Sequence, residues 1–173
     1  MAEFIPRLTD NGIRGNPYWY RDNPFYQAGY GLPNCTCYAW GRWWESAGAE
    51  YRPNLSLSDA EDWWGYTADG YERGQQIALG ACVCYADGDY SGFGHVAIVE
   101  QIFDDYAVVS NSAYDAYYWQ LDYIGLDGRF PRGNYRFQGF IYNPHSGGEP
   151  VGSKKKLWLF KRKLWLHEKE DIL

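Results

Sequence analysis

The chain has 173 residues, of which 46% are hydrophobic and 20% aromatic, and a formal net charge of -6, which suits one domain with its own core and is short for two. Residues 1–150 carry nine Arg, no Lys and nineteen acids, a net of -10, whereas residues 151–173 carry six Lys, one Arg and three acids, a net of +4. The acidic body argues against a nucleic-acid partner, which needs a basic face, and no run reaches the roughly eighteen apolar residues of a membrane helix.

The opening Met-Ala-Glu-Phe-Ile-Pro-Arg-Leu lacks a basic region and a long apolar stretch. No signal peptide is expected, and synthesis in a cytoplasm is. Residues 1–33 are rich in Gly, Pro, Asn and Tyr and read as an irregular approach loop. Pro33 disfavours helix at Leu32 and permits one just beyond. Asn34 is a good N-cap, so a helix is expected from Cys35 to about Ser46, with Cys35 in its first turn. Ser56 to Trp64 predicts a second short helix, because Ser58 and Glu61 have the spacing of a capping box.

Three apolar segments follow Gly74, at Ile77 to Tyr85, Val96 to Phe103 and Tyr106 to Ser112, each bounded by Gly or Asp. They predict successive antiparallel strands, with Asp104-Asp105 as a tight hairpin and a further strand near Phe137 to Tyr142.

The chemistry concentrates in Asn34-Cys35-Thr36-Cys37-Tyr38-Ala39-Trp40-Gly41-Arg42 and Gly94-His95-Val96-Ala97-Ile98-Val99-Glu100. A thiol at a helix start lies near unpaired N–H groups and the positive end of the dipole, which favours the thiolate and lowers its pKa. The Cys35 N–H can help to hold an oxyanion, with Tyr30 or Asn34 in the preceding loop as second donor. His95 opens an apolar strand behind a glycine and is the expected base; His145 and His167 have no such framework. A catalytic imidazole needs a third group to fix its tautomer. Pairing across Asp104-Asp105 returns Asn111 beside His95, with Ser110 and Ser112 as competitors because a one-residue slip exchanges the faces. Glu100 points to the opposite face from His95.

Asn-Cys-Thr-x-Tyr-Ala-Trp-Gly-Arg, followed by Gly-His-Val-Ala-Ile-Val-Glu and an Asn-bearing strand end, resembles the CHAP family of cysteine, histidine-dependent amidohydrolases/peptidases over roughly residues 25–142. The resemblance implies a papain-like α+β fold with N-terminal helices packed on a small antiparallel sheet. It also implies cleavage of amide bonds in bacterial peptidoglycan and frequent use as a phage endolysin or virion-associated lysin. Without a signal peptide, such a lysin reaches the wall through holin-type pores or as part of a virion. Family members commonly carry an aromatic where this chain has Cys37; alignment makes Cys35, which precedes the Thr, the nucleophile. Some relatives bind calcium ahead of the Cys through several acids, but here that loop offers Asp22 alone near the Cys, so no metal and no cofactor is expected. The pairs Cys35-x-Cys37 and Cys82-x-Cys84 are too closely spaced for the usual zinc ligands and read as the nucleophile region and as buried strand thiols.

The expected organisation is a catalytic domain over residues 1–145, with its core at about 25–142, and a Gly/Pro linker with a basic, aromatic tail over residues 146–173. Lys154, Lys155, Lys156, Trp158, Lys161, Arg162, Lys163 and Trp165 suit an anionic wall polymer or membrane surface, although the apolar positions give no clean amphipathic period. Most of the 17 Tyr and 9 Trp are expected in the core, with Trp40, Trp43, Trp44, Trp63 and Trp64 as candidates for a groove. The leading expectation is a Cys-His peptidoglycan hydrolase. Its rivals are a catalytically inert virion structural or wall-binding module and an intracellular papain-like protease.

Overall fold

The approach segment is irregular but anchored. In the computed structural model, which describes residues 4–88, 92–131, 134–146, 148 and 150, Ile13 and Trp19 are fully buried. The segment also contains a single helical turn, α1 (Pro24–Gln27), capped by Asn23, whose side chain accepts the Phe25 N–H at 3.0 Å. Asn-Pro therefore supplies both a cap and a first helical residue, so the expectation of loop throughout is corrected here.

Helix α2 (Cys35–Ala47) begins at Asn34, whose Oδ1 accepts the N–H groups of Thr36 (2.9 Å) and Cys37 (3.2 Å) and the Thr36 hydroxyl (2.6 Å). Those are two of the four donors a helix start leaves unpaired. The helix stops at Gly48, whose φ of +95° suits glycine. Thr36 through Trp43 are all buried, because the sheet covers one side of α2 and the approach segment the other. Gly41 permits this close packing: a Cβ there would come within 2.5 Å of the Trp19 indole, whose Nε1 donates to the Tyr38 carbonyl at 3.0 Å.

The second expected helix is one 3₁₀ turn, Ala60–Asp62, and the capping box does not form. Ser58 lies outside the turn, where its carbonyl accepts the Trp63 indole N–H at 3.2 Å. The Glu61 N–H donates to the Phe93 carbonyl at 3.1 Å, which ties this turn to the loop before His95.

Six strands form one antiparallel sheet: β1 (Arg73–Gly74), β2 (Cys82–Asp87), β3 (His95–Ile102), β4 (Tyr106–Ala113), β5 (Tyr117–Gly125) and β6 (Tyr135–Ile141), in the order β1-β6-β2-β3-β4-β5. The β3–β4 hairpin closes over Asp104-Asp105 with the Phe103 N–H on the Tyr106 carbonyl at 2.9 Å. The strand expected from Ile77 begins only at Cys82. Residues Ile77 and Ala78 are buried under the sheet and Gly80 turns the chain at φ +72°, so buried loop residues mimicked the start of a strand. Strand β5 lay outside the expected elements.

Alternate residues of the central strands feed two cores. Cys82, Cys84, Val96 and Ile98 pack with Cys37, Trp40, Trp43 and Trp63 on the α2 side. Val83, Tyr85, Ala97, Val99 and Val109 pack with Ile77, Phe130 and Phe140 on the other. These positions put Trp40, Trp43 and Trp63 in the core, while Trp44 and Trp64 are half-buried.

Candidate active site

Cys35 is the first residue of α2, half-buried and at the sheet end where β3 begins. Its thiol meets the backbone N–H of Val96, of Thr36 and of Cys35 itself. These donors pull toward the thiolate, but burial outweighs them and, with Asp59 nearby, pushes the thiol up to about 11. The expected lowering by the helix start is therefore corrected: removal from water wins over the helix end.

Gly94 leads into β3 with φ +63°, and a Cβ there would collide with the Tyr85 carbonyl and come within 2.7 Å of the Glu61 N. Only glycine lets the backbone pass this point. The following His95 is 3% exposed. Its ring packs parallel to Tyr135 at 5.2 Å and edge-on to Phe130 at 5.4 Å. Burial draws the imidazole down to about 4, against the hydrogen bond to Asn111, which favours the charged ring. Burial thus disfavours the charged form of both the thiol and the imidazole.

Asn111, fully buried on β4, sets its Oδ1 3.1 Å from His95 Nε2. The same oxygen accepts the Tyr117 hydroxyl at 2.7 Å, while Nδ2 donates to Asp122 Oδ2 at 3.0 Å. The two serines beside Asn111 have other partners. Ser110 donates to Glu100 at 2.6 Å and accepts from Tyr38 at 2.8 Å. Ser112 accepts the Asn34 N–H and donates to the Tyr117 carbonyl, both at 3.0 Å, which pins the start of α2 to β4.

The structure thus gathers Cys35, His95 and Asn111 at one end of the sheet. It leaves Tyr30 on the approach loop with 58% exposure. Asn34 uses its backbone N–H on Ser112 and its Oδ1 as the helix cap, which leaves Nδ2 as its donor. Asp22 pairs with the adjacent Arg21 at 2.7 Å. Tyr117 and Asp122 escaped the sequence reading with β5; the one available signal was aromatic enrichment over residues 117–123. The tail residues Lys154 to Trp165 lie outside the described residues.

Behind the site, Glu100 sits at a bulge in β3, fully buried, and takes Arg42 of α2 in a two-point pair at 2.8 Å each. Glu100 also accepts the Arg7 N–H at 2.7 Å, and Arg42 reaches Glu45 (2.8 Å) and the Ile5 carbonyl (2.7 Å). Burial opposes the guanidinium charge, but Glu100 and Glu45 more than reverse that and hold it raised. The last residues of both motifs therefore join α2, β3 and the approach segment.

His95 gives a pH-dependent stability. Its ordinary value of 6.5 falls to about 4 on folding, so between those values the unfolded chain holds the extra proton. Stability is complete above pH 6.5 and is lost as pH falls toward 4, by about 3 kcal/mol in all. Urea unfolding at pH 7 and 4.5 should show wild type losing about 2–3 kcal/mol more than His95→Gln across that interval; equal losses contradict the assignment.

A thiol at a helix start, an imidazole at a neighbouring strand end and an amide oxygen on that imidazole are the parts of a thiol hydrolase. The family model for the CHAP domain matches residues 25–113, just over half of the chain. The chain belongs to the CHAP family. Membership implies hydrolysis of amidase or peptidase type with peptidoglycan as the substrate. No curated protein matches the chain. Among the described residues no helix is long and apolar enough to cross a membrane, and no three His, Cys, Asp or Glu side chains gather as a metal site.

Proposed function

We propose that this chain is a lysin, a phage endolysin or virion-associated enzyme, that cuts an amide bond of bacterial peptidoglycan with Cys35 as nucleophile, His95 as base and Asn111 as the orienting residue. The observation that carries this reading is the contact of Asn111 Oδ1 with His95 Nε2. An amide oxygen only accepts, so Nε2 bears the hydrogen and Nδ1 the lone pair. Because burial disfavours the charged form of both groups, proton transfer accompanies attack rather than preceding it: the Cys35 proton passes to Nδ1 as Sγ bonds to the amide carbon. The imidazolium then gives that proton to the departing nitrogen as the C–N bond breaks. Water, deprotonated by His95, hydrolyses the thioester, which releases the carboxyl product and restores the thiol. The Cys35 N–H holds the oxyanion, with Asn34 Nδ2 or the Tyr30 hydroxyl as second donor.

In this reading residues 1–145 form the catalytic domain and residues 146–173 a linker and surface-binding tail. The protein is made in a bacterial cytoplasm and reaches the wall through holin-type pores or on a virion. Deleting residues 151–173 should weaken binding to cells at low salt several-fold and leave turnover of a soluble muropeptide unchanged; equal losses in both would refute a surface-binding tail. Mass spectrometry of the fragments released from Gram-positive sacculi tests the reaction itself. Stem peptides with a free L-alanine amine identify an amidase, and cuts within the peptide an endopeptidase. No release from several wall types would overturn the proposal.

A further inference from the structure

We propose that Asp122 is a positioning residue that sets the tautomer of His95 through Asn111. This rests on the reading of Asn111 as the residue that orients His95. Asp122 lies on β5 with 4% exposure, an expensive place for a carboxylate unless donors surround it. Asn111 Nδ2 reaches its Oδ2 at 3.0 Å, and Gln120 Nε2 reaches the same oxygen at 2.7 Å.

An asparagine amide is nearly symmetric in shape, and turning it over exchanges oxygen for NH₂. What it faces decides which way it stands. An ionised carboxylate only accepts, so the NH₂ of Asn111 must face Asp122, and Oδ1 is thereby directed at His95. The Gln120 carbonyl, 3.4 Å from Nδ2, acts in the same sense over a longer and uncharged contact. The Tyr117 hydroxyl, at 2.7 Å from Oδ1, can donate or accept and so tolerates either orientation. Asp122 is thus the strong selector.

Were the amide reversed, its NH₂ would face Nε2 and favour the lone pair there. The ring proton would then move to Nδ1 and occupy the nitrogen that must take the thiol proton. A carboxylate on β5 in this way prepares a base on β3 through the asparagine of β4, the strand between them.

The test is a nitrogen-15 spectrum of the histidine-labelled full chain at pH 7, together with the rate of sacculus solubilisation. Wild type should show His95 with the hydrogen on Nε2. Asp122→Ala should show a mixture or the Nδ1–H form and lose about 10–100-fold in kcat with little change in KM, as for other groups that orient a site residue. Asp122→Asn keeps an acceptor toward Asn111 and should recover most of both readouts.

A folded Asp122→Ala protein that keeps the Nε2–H form and wild-type kcat overturns the proposal. So does a wild-type spectrum with the hydrogen on Nδ1, which requires no variant to fold. The spectrum separates this inference from the catalytic reading: if Cys35→Ala released wall fragments normally, that reading would fail while the tautomer result would stand or fall on its own.

Discussion

Cys35→Ala is expected to fold normally, to remain bound to sacculi and to lose at least about 10⁴-fold in the release of wall fragments, the scale seen when a catalytic nucleophile is deleted. The fold should tolerate the change because Cys35 is a half-buried first residue of α2 whose thiol makes only weak contacts with backbone N–H groups. Alanine suits a helix better than cysteine does. The helix start is held by the Asn34 side chain and by the Asn34 N–H on Ser112, neither of which involves the thiol. Unaltered stability with lost release separates an enzyme from an inert wall-binding module, for which the substitution should change neither. Cys37 provides an internal control: it is fully buried, its thiol 3.6 Å from the Trp19 carbonyl. Its replacement should therefore act on stability rather than on chemistry.

Glu100→Ala should be the most damaging single change to the fold, costing about 3–5 kcal/mol, because it leaves the Arg42 charge buried without its two-point partner. That is a large part of the 5–15 kcal/mol by which domains usually hold together. Ser110 and the Arg7 N–H lose acceptors at the same time. Replacing Arg42 by Met as well removes the stranded charge and should return part of the loss. The recovery is incomplete, because Glu45 and the Ile5 carbonyl also lose a donor. Urea unfolding of the two single variants and the double variant checks this. A cost below about 1 kcal/mol for Glu100→Ala would mean that the pair is open to water in solution.

Much of the site was legible because its signals are local. Asn34 before an apolar helix and Gly94 before an apolar strand each announce their element through one residue, and the hairpin at Asp104-Asp105 fixed which strand returns beside His95. The register then chose Asn111 over Ser110 and Ser112, a choice a one-residue slip would have changed. What escaped the sequence depends on contacts distant along the chain. Strand β5 is a mostly half-buried edge strand whose Asp122 meets Asn111 on the neighbouring strand. The 3₁₀ turn at Ala60–Asp62 is tied to the loop before His95 by the Glu61 N–H on the Phe93 carbonyl, a partner that no local pattern contains. The thiol pKa escaped for the same reason: the helix start is readable, whereas the burial that overrides it comes from the packed fold.

The proposed covalent acyl intermediate between Cys35 and peptidoglycan can be trapped for intact-protein and peptide mass spectrometry by quenching the enzyme in acid during turnover of sacculus fragments. The expected result is an added acyl group confined to the peptide that carries Cys35, absent from Cys35→Ala and from enzyme kept without substrate. Rapid wall release with no such adduct, and with release undiminished in Cys35→Ala, would contradict it.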